Sequence, residues 1–210
     1  MDKLLIATSN PGKVGEYTKF FSDLPIQLVS LRGAYLDDET VEENGVTYKE
    51  NAEKKALFYA KLGNMPAISD DGGIEISALG GAPGIRSRRW LGHEMTDEEL
   101  VNYMLNISKT LPDDNRTAYF KVVIAFALPS GKVWTVEGQI QGIIAHSPDL
   151  VLLRGYPYRS FFYLPKIKKY YHEDQLTETE QKQYNHRYIA IQRIKPIVKR
   201  ELGLKASSII

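Results

Sequence analysis

The stretch Lys3-Leu4-Leu5-Ile6-Ala7-Thr8-Ser9-Asn10-Pro11-Gly12-Lys13 decides the fold. Lys3 to Thr8 reads as a short apolar strand. Asn10-Pro11-Gly12 reads as a helix N-cap and first turn, because the fixed φ of proline suits the first helical position. Val14, Tyr17, Phe21 and Leu24 then recur at helical spacing. A second strand is expected over residues 26–31. An acidic loop, Asp37 to Gly45, leads into a helix over 48–62, with Gly63 as its C-terminal stop. Strands alternating with helices predict an α/β chain.

Working outward, residues 66–69 and 74–76 read as strands flanking a turn made of Asp70-Asp71-Gly72-Gly73. Thr96 and Glu99 form a capping box for a helix running to about residue 108. The apolar period then switches to two, with Ala118, Phe120, Val122, Ile124, Phe126 and Leu128 on one face of a long strand. Pro129-Ser130-Gly131-Lys132 is a hairpin turn and 133–144 its returning partner. Residues 146–171 look irregular and aromatic, with glycine only at Gly155. Thr177 and Glu180 form a second capping box. Asn185 caps a last helix carrying Ile189, Ile194, Ile197 and Val198, with a kink or break near Pro196. The expected architecture is one domain over 1–210: a mixed central β-sheet flanked by helices, in two lobes around a cleft.

The 210 residues are 43% hydrophobic and 25% charged, which is ordinary for a globular chain. Lys plus Arg is 27 against 26 for Asp plus Glu, a net charge of +1. That balance argues against holding a nucleic acid polymer by bulk electrostatics. With no cysteine, disulfides and thiolate metal sites are excluded. No stretch reaches the ~18 apolar residues of a membrane helix, and Leu4 to Ala7 is too short for a signal core. A cytoplasmic protein without a membrane partner is expected.

Four constellations have residue types suited to chemistry. Thr8 to Lys13 sits at a strand-to-helix junction, where free amides and the helix dipole attract phosphate; an ordinary helix start has the same composition. In the acidic loop Glu42 or Glu43 could help hold a cation, although charge runs also form plain solvated loops. Asn51 and Lys55, four apart, share one face of the next helix. Asp70 and Asp71 repel unless a cation or proton lies between them, and magnesium takes one or two carboxylates plus phosphate oxygens; an Asx-turn would use the same residues. The fourth is Asn185-His186-Arg187, with Tyr156, Tyr158, Phe161 and Phe162 as stacking faces. A serine-hydrolase elbow, a zincin signature and a dinucleotide glycine fingerprint are all missing.

The order of these pieces is specific. Thr8-x-Asn10-x-x-Lys13, Glu43-x-Gly45, Asn51-Ala52-x-x-Lys55-Ala56, Ser69-Asp70-Asp71-x-Gly73 and Gly80-Gly81-x-Pro83-Gly84-Ile85-x-Ser87-x-Arg89 together resemble the inosine triphosphate pyrophosphatase family. The likeness resumes at Gly138 to Ile144 and at Asn185-His186-Arg187. It implies a magnesium-dependent enzyme that splits non-standard purine nucleoside triphosphates into the monophosphate and pyrophosphate, acting as a homodimer. By the same resemblance Thr8, Asn10, Lys13 and Lys55 hold the triphosphate. Glu43, Asp70 and Asp71 surround the metal, with Asp71 the general base. Gly72, Tyr156, Lys182, His186 and Arg187 complete the nucleotide site, Gly72 standing where many members have a hydroxyl residue. Two departures stand out. The family's Gly-Phe-Gly-Tyr/Trp-Asp-Pro is here Gly155-Tyr156-Pro157-Tyr158-Arg159-Ser160, and the lysine expected five residues before the histidine is Gln181, with Lys182 next to it. A nucleotide-binding module without catalysis, or a pyrophosphatase with altered base preference, is the alternative.

Overall fold

A computed structural model describes residues 2–151 and 153–204. Its strands are β1 (Asp2–Ile6), β2 (Ile26–Ser30), β3 (Ala67–Ile76), β4 (Thr117–Ala127), β5 (Val133–Ile144), β6 (Phe162–Leu164) and β7 (Lys169–Tyr170). Its α-helices are α1 (Pro11–Phe20), α2 (Tyr48–Leu62), α3 (Asp97–Thr110), α4 (Glu178–Tyr184) and α5 (His186–Glu201). The strands pair in the order β2-β1-β3-β4-β5-β6-β7, parallel across β2-β1-β3 and antiparallel across β5-β6-β7, so this is a mixed sheet in an α/β fold.

Local chemistry accounts for most boundaries. Asn10 caps α1, its Oδ1 accepting from the amides of Gly12 and Lys13. Both capping boxes form, Thr96 with Glu99 and Thr177 with Glu180. Gly63 ends α2 as expected, and Asn64 takes the left-handed backbone beyond it. The Asn185 side chain accepts from Tyr188 N–H at the start of α5.

Two sequence expectations are corrected. Residues 70–73 are not a turn between two strands: β3 runs unbroken from Ala67 to Ile76. The glycine that suggested a turn instead permits a close approach, since a Cβ on Gly72 would lie 2.3 Å from the Lys121 carbonyl oxygen of β4. Likewise α5 does not break at Pro196 but stays helical through it. Pro196 is exposed, and so is Gln192, whose carbonyl loses its intrahelical partner there, so that carbonyl is not forced into an apolar interior. The irregular stretch 146–171 also holds β6, β7 and a 3₁₀ turn over Pro157–Phe161.

The chain forms two compact units, the divisions falling inside β3, β4, β5 and α5. Unit 1 is Met1–Asp71, Val123–Glu137 and Ala190–Ile210; unit 2 is Gly72–Val122 and Gly138–Ile189. In unit 1 the small residues Ala52, Ala56 and Ala60 of α2 pack on Leu5, Ala67 and Ala125. In unit 2 the core is aromatic, with Phe120, Phe161, Phe162 and Tyr171 packed beside Leu100 and Met104 of α3. Among the described residues no helix is long and apolar enough to cross a membrane.

Candidate functional site

In unit 1 the strand order β2-β1-β3 reverses direction at β1. The connection through α1 leads to one side of β1 and that through α2 returns to the other. Right-handed crossovers therefore place α1 and α2 on opposite faces, leaving a crevice beyond the carboxyl ends of β1 and β3. Pairing of these strands stops at Ile6 with Ile68, after which the Ala7 amide still donates to the Ile68 carbonyl at 2.8 Å. β3 continues beyond its pairing with β1, so Asp70 and Asp71 lie just past that edge. Strand alternation then divides them between the two helices.

Asp70 turns to α1. Its side chain is completely buried, 2.9 Å from the Lys13 ammonium, and it accepts from the Tyr17 hydroxyl at 3.3 Å. Asp71 turns to α2, accepting from the Asn51 amide at 2.9 Å. The other end of Asn51 accepts from Gly45 N–H at 2.8 Å, so one side chain ties the acidic loop to β3. Gly45 is required there, because a Cβ would sit 2.6 Å from Asn51 Oδ1. Lys55, one turn along α2, meets Glu43 at 2.6 Å. The Thr8 hydroxyl accepts from the Asn10 amide at 3.2 Å, shaping the β1–α1 junction.

These charges are strongly coupled. Burial pulls the Lys55 ammonium down, but Glu43, Asp71 and Asp70 outweigh it and hold its pKa above the ordinary lysine value. Asp71 moves the other way. Burial raises its carboxyl above the usual range even though Lys55, Lys13 and the Asn51 hydrogen bond pull it down. Unit 1 thus brings Thr8, Asn10, Lys13, Glu43, Lys55, Asp70 and Asp71 into one neighbourhood.

Their donor set suits a hard divalent cation. The carboxylates of Glu43, Asp70 and Asp71 are oxygen ligands, and each already has a cation or amide against it. Among the described residues no three acidic or histidine side chains converge as a ready cage. Magnesium is held in the same sparse manner, by one or two carboxylates, with water and substrate phosphates filling the remaining positions.

Unit 2 holds the other expected residues. Tyr156 is half-buried at the start of the 3₁₀ turn, and Arg159, three residues on, is fully buried. The Arg159 guanidinium lies 3.8 Å from the Tyr156 ring centre and 4.5 Å from that of Tyr171. Tyr171 continues the cluster through a 2.8 Å hydrogen bond between its hydroxyl and His186 Nδ1. The His186 ring stacks on Phe120 at 5.3 Å, and Arg187 beside it is buried. Gly72 belongs to this unit, packed on the β4 backbone. Lys182 is exposed on α4, whereas Gln181 faces inward, donating to the Glu173 carbonyl and accepting from Asn185.

Several residues escaped the sequence reading. Tyr17 looked like core periodicity, yet its hydroxyl reaches Asp70. Tyr171 and His172 sat in a stretch with no period at all. His172 is buried near Asp149 at 3.5 Å, its pKa lowered by burial and by Arg159 against the pull of Asp149 and Asp174. Asn51 had been singled out with Lys55 on one helix face, but not its tie to Asp71 and Gly45.

Comparison with known proteins agrees over nearly the whole chain. Residues 4–197 match the model of the Ham1 family. The chain is similar to a protein of Desulforamulus reducens named dITP/XTP pyrophosphatase, 36% identical over 198 residues, covering 94% of this chain and 96% of that one. A Thermus thermophilus protein of the same name is 37% identical over 185 residues, covering 88% and 86%. Among solved structures, the Ham1 protein of Staphylococcus aureus superposes with a TM-score of 0.76 at 32% identity, covering 95% of this chain and all of the other (100%). A HAM1 protein from Coxiella burnetii gives 0.79 at 30% identity, with coverage of 95% and 100%.

Proposed function

This chain belongs to the Ham1 family, and from that premise we propose that it hydrolyses non-standard purine nucleoside triphosphates, ribo or deoxy, to the monophosphate and pyrophosphate. The observation that supports this most is the cluster at the carboxyl end of β1 and β3, where Lys13 and Lys55 stand among Asp70, Asp71 and Glu43. Unit 1 takes the triphosphate. The two ammonium groups and the amino end of α1 offset its charge, and Thr8 and Asn10 fix the junction that presents them.

Asp71 is the general base in this reading. A carboxylate whose pKa is raised accepts a proton from water more readily than an ordinary one, and Asn51 fixes its orientation. The attacking water oxygen bonds to the α-phosphorus as the bridge to the β-phosphate breaks. Its proton passes to Asp71, and pyrophosphate leaves against Lys13 and Lys55. Glu43 with Asp71 or Asp70 would hold magnesium, whose chemistry there is to neutralise phosphate charge and acidify water. The proposed base contacts are Tyr156 as stacking surface and His186 and Arg187 as polar groups. A homodimer is part of the same reading, and sedimentation of the purified chain tests it.

The experiment is a substrate panel. The purified chain, supplied with Mg²⁺, is given ITP, dITP, XTP and the four ordinary triphosphates, and pyrophosphate release is followed. Turnover of the inosine and xanthine nucleotides above the ordinary ones supports the proposal; absence of pyrophosphate from all of them overturns it.

A further inference from the structure

We infer that Tyr59 is a positioning residue for the acidic loop, holding it so that Glu43 stays against Lys55; this rests on the pyrophosphatase reading above, in which Glu43 serves magnesium. Residues 37–46 form no helix or strand, yet the segment must present a carboxylate at a defined place. Three side chains of α2 do the holding. Asn51, Lys55 and Tyr59 are spaced four apart and so line one face of the helix. Asn51 accepts from the Gly45 amide at 2.8 Å, Lys55 donates to Glu43 at 2.6 Å, and the Tyr59 hydroxyl donates to the Glu39 carbonyl at 2.6 Å. The loop therefore runs antiparallel along α2, with one tie to each helical turn.

The lengths show why the third tie matters. Four helical residues advance about 6 Å and two extended residues span about 7 Å, so the chain from Gly45 to Glu43 is taut along α2. Lys54 on Asn44 and the Val46 amide on Glu50 reinforce that half. From Glu43 to Glu39 the chain can span about 13 Å but has only about 6 Å of helix to follow, which leaves slack. Tyr59 ties down the far end of the slack half and so brackets Glu43 between two anchors. Its ring is buried with Ala56 and Ala60 and meets Phe58 edge-on at 5.0 Å, so the hydroxyl is a fixed point. Burial raises its pKa above the ordinary tyrosine value, with Lys55 opposing and Glu39 and Glu43 adding, so it remains a donor at neutral pH. The acceptor is a backbone carbonyl, so the tie sets the path of the chain whatever side chain stands at position 39.

The test is Tyr59→Phe in the full chain, which keeps the ring and removes the bond. In metal-free protein, hydrogen exchange followed by mass spectrometry should find the amides of 39–45 exchanging about fivefold faster, the worth of one neutral hydrogen bond, with α2 and β3 unchanged. In turnover of ITP the half-saturating Mg²⁺ concentration should rise by a similar factor, while kcat at saturating Mg²⁺ stays within about twofold of wild type. Glu39→Gln keeps the carbonyl and should leave both readings at wild-type values. Unchanged exchange in 39–45, or exchange raised equally across α2 and β3, overturns the inference, the second result marking a bond that only stabilises the fold. An unmoved Mg²⁺ demand, a fall in kcat in its place, or a Glu39→Gln protein that behaves like Tyr59→Phe overturns it as well. Wild-type protein that releases no pyrophosphate from ITP would instead sink the pyrophosphatase reading, and the exchange result still decides whether Tyr59 holds the loop.

Discussion

Gly72 gives the sharpest test of how this strand is built. A methyl group there would lie 2.3 Å from the Lys121 carbonyl oxygen and 2.9 Å from the Val122 Cα, both backbone atoms that no rotamer change can move aside. Overpacking of this kind costs about 3 kcal/mol at the upper end of its range. The alanine also restricts the unfolded chain, which returns about 0.7 kcal/mol. The net loss for Gly72→Ala is about 2 kcal/mol, or roughly 4–8 °C in Tm for a chain this long. Gly15, exposed on the outer face of α1, is the control, since nothing lies within 4 Å of its would-be Cβ. Replacing it with alanine improves helix propensity by about 1 kcal/mol and should raise Tm. Thermal unfolding followed by circular dichroism reads both signs. A Gly72→Ala protein melting within about 1 °C of wild type would refute the close approach of β3 to β4. The same variant should lose activity beyond its loss of stability, because Asp71 precedes the displaced residue.

Three further outcomes follow. Lys13→Met leaves the buried Asp70 carboxylate without its ammonium and should cost about 2–3 kcal/mol, the partial exposure of Lys13 reducing the full buried-pair penalty; urea unfolding should find the Lys13→Met/Asp70→Asn double variant more stable than the single one. His172 has a depressed pKa, so stability is complete above its unfolded value of 6.5 and declines as pH falls from there towards the folded value; in His172→Gln that slope should flatten, and an unaltered slope would remove His172 from the effect. Asn51→Leu removes a hydrogen bond that lowers the Asp71 pKa, so the acid limb of kcat/KM should move to higher pH and activity at neutral pH should fall.

The regular elements were legible because their signals are local. Asn10 before Pro11, Thr96 with Glu99, and the alternation of 118–128 each decide a boundary within a few residues. The turn expected at Asp70 to Gly73 failed because glycine has two uses. It permits a turn, and it permits another backbone to come close; only the position of Lys121, 49 residues away in sequence, tells which applies. Arg159 shows the same limit more strongly. A charged residue in an aromatic, aperiodic stretch gives no sign that it will be buried, and the rings that accept it come from Tyr156 and from Tyr171 on the far side of β6 and β7. Lys13 and Lys55 were legible as types suited to phosphate, and Asp71 as one suited to a cation. Their allocation to separate partners, Asp70 for Lys13, Glu43 for Lys55 and Asn51 for Asp71, was not, since it depends on which face of β3 each helix covers.

That allocation has an energetic consequence that separates function from stability at Asp71. Its folded pKa is raised, so the protonated form is the one folding favours. The stabilising contribution is present below the unfolded value of 3.8 and is lost as pH rises through the folded value. At neutral pH the ionised carboxylate is therefore a net cost, one that Lys55, Lys13 and Asn51 reduce without cancelling. Asp71→Asn imitates the protonated form and should abolish turnover while leaving Tm equal to or above that of wild type. A variant that loses both activity and stability would show that the carboxylate is needed to hold the fold, and the case for Asp71 as the base would lose its main physical support. A variant that retains activity would remove Asp71 from the chemistry altogether. Inactive but at least as stable is the outcome expected of a residue held under strain for catalysis.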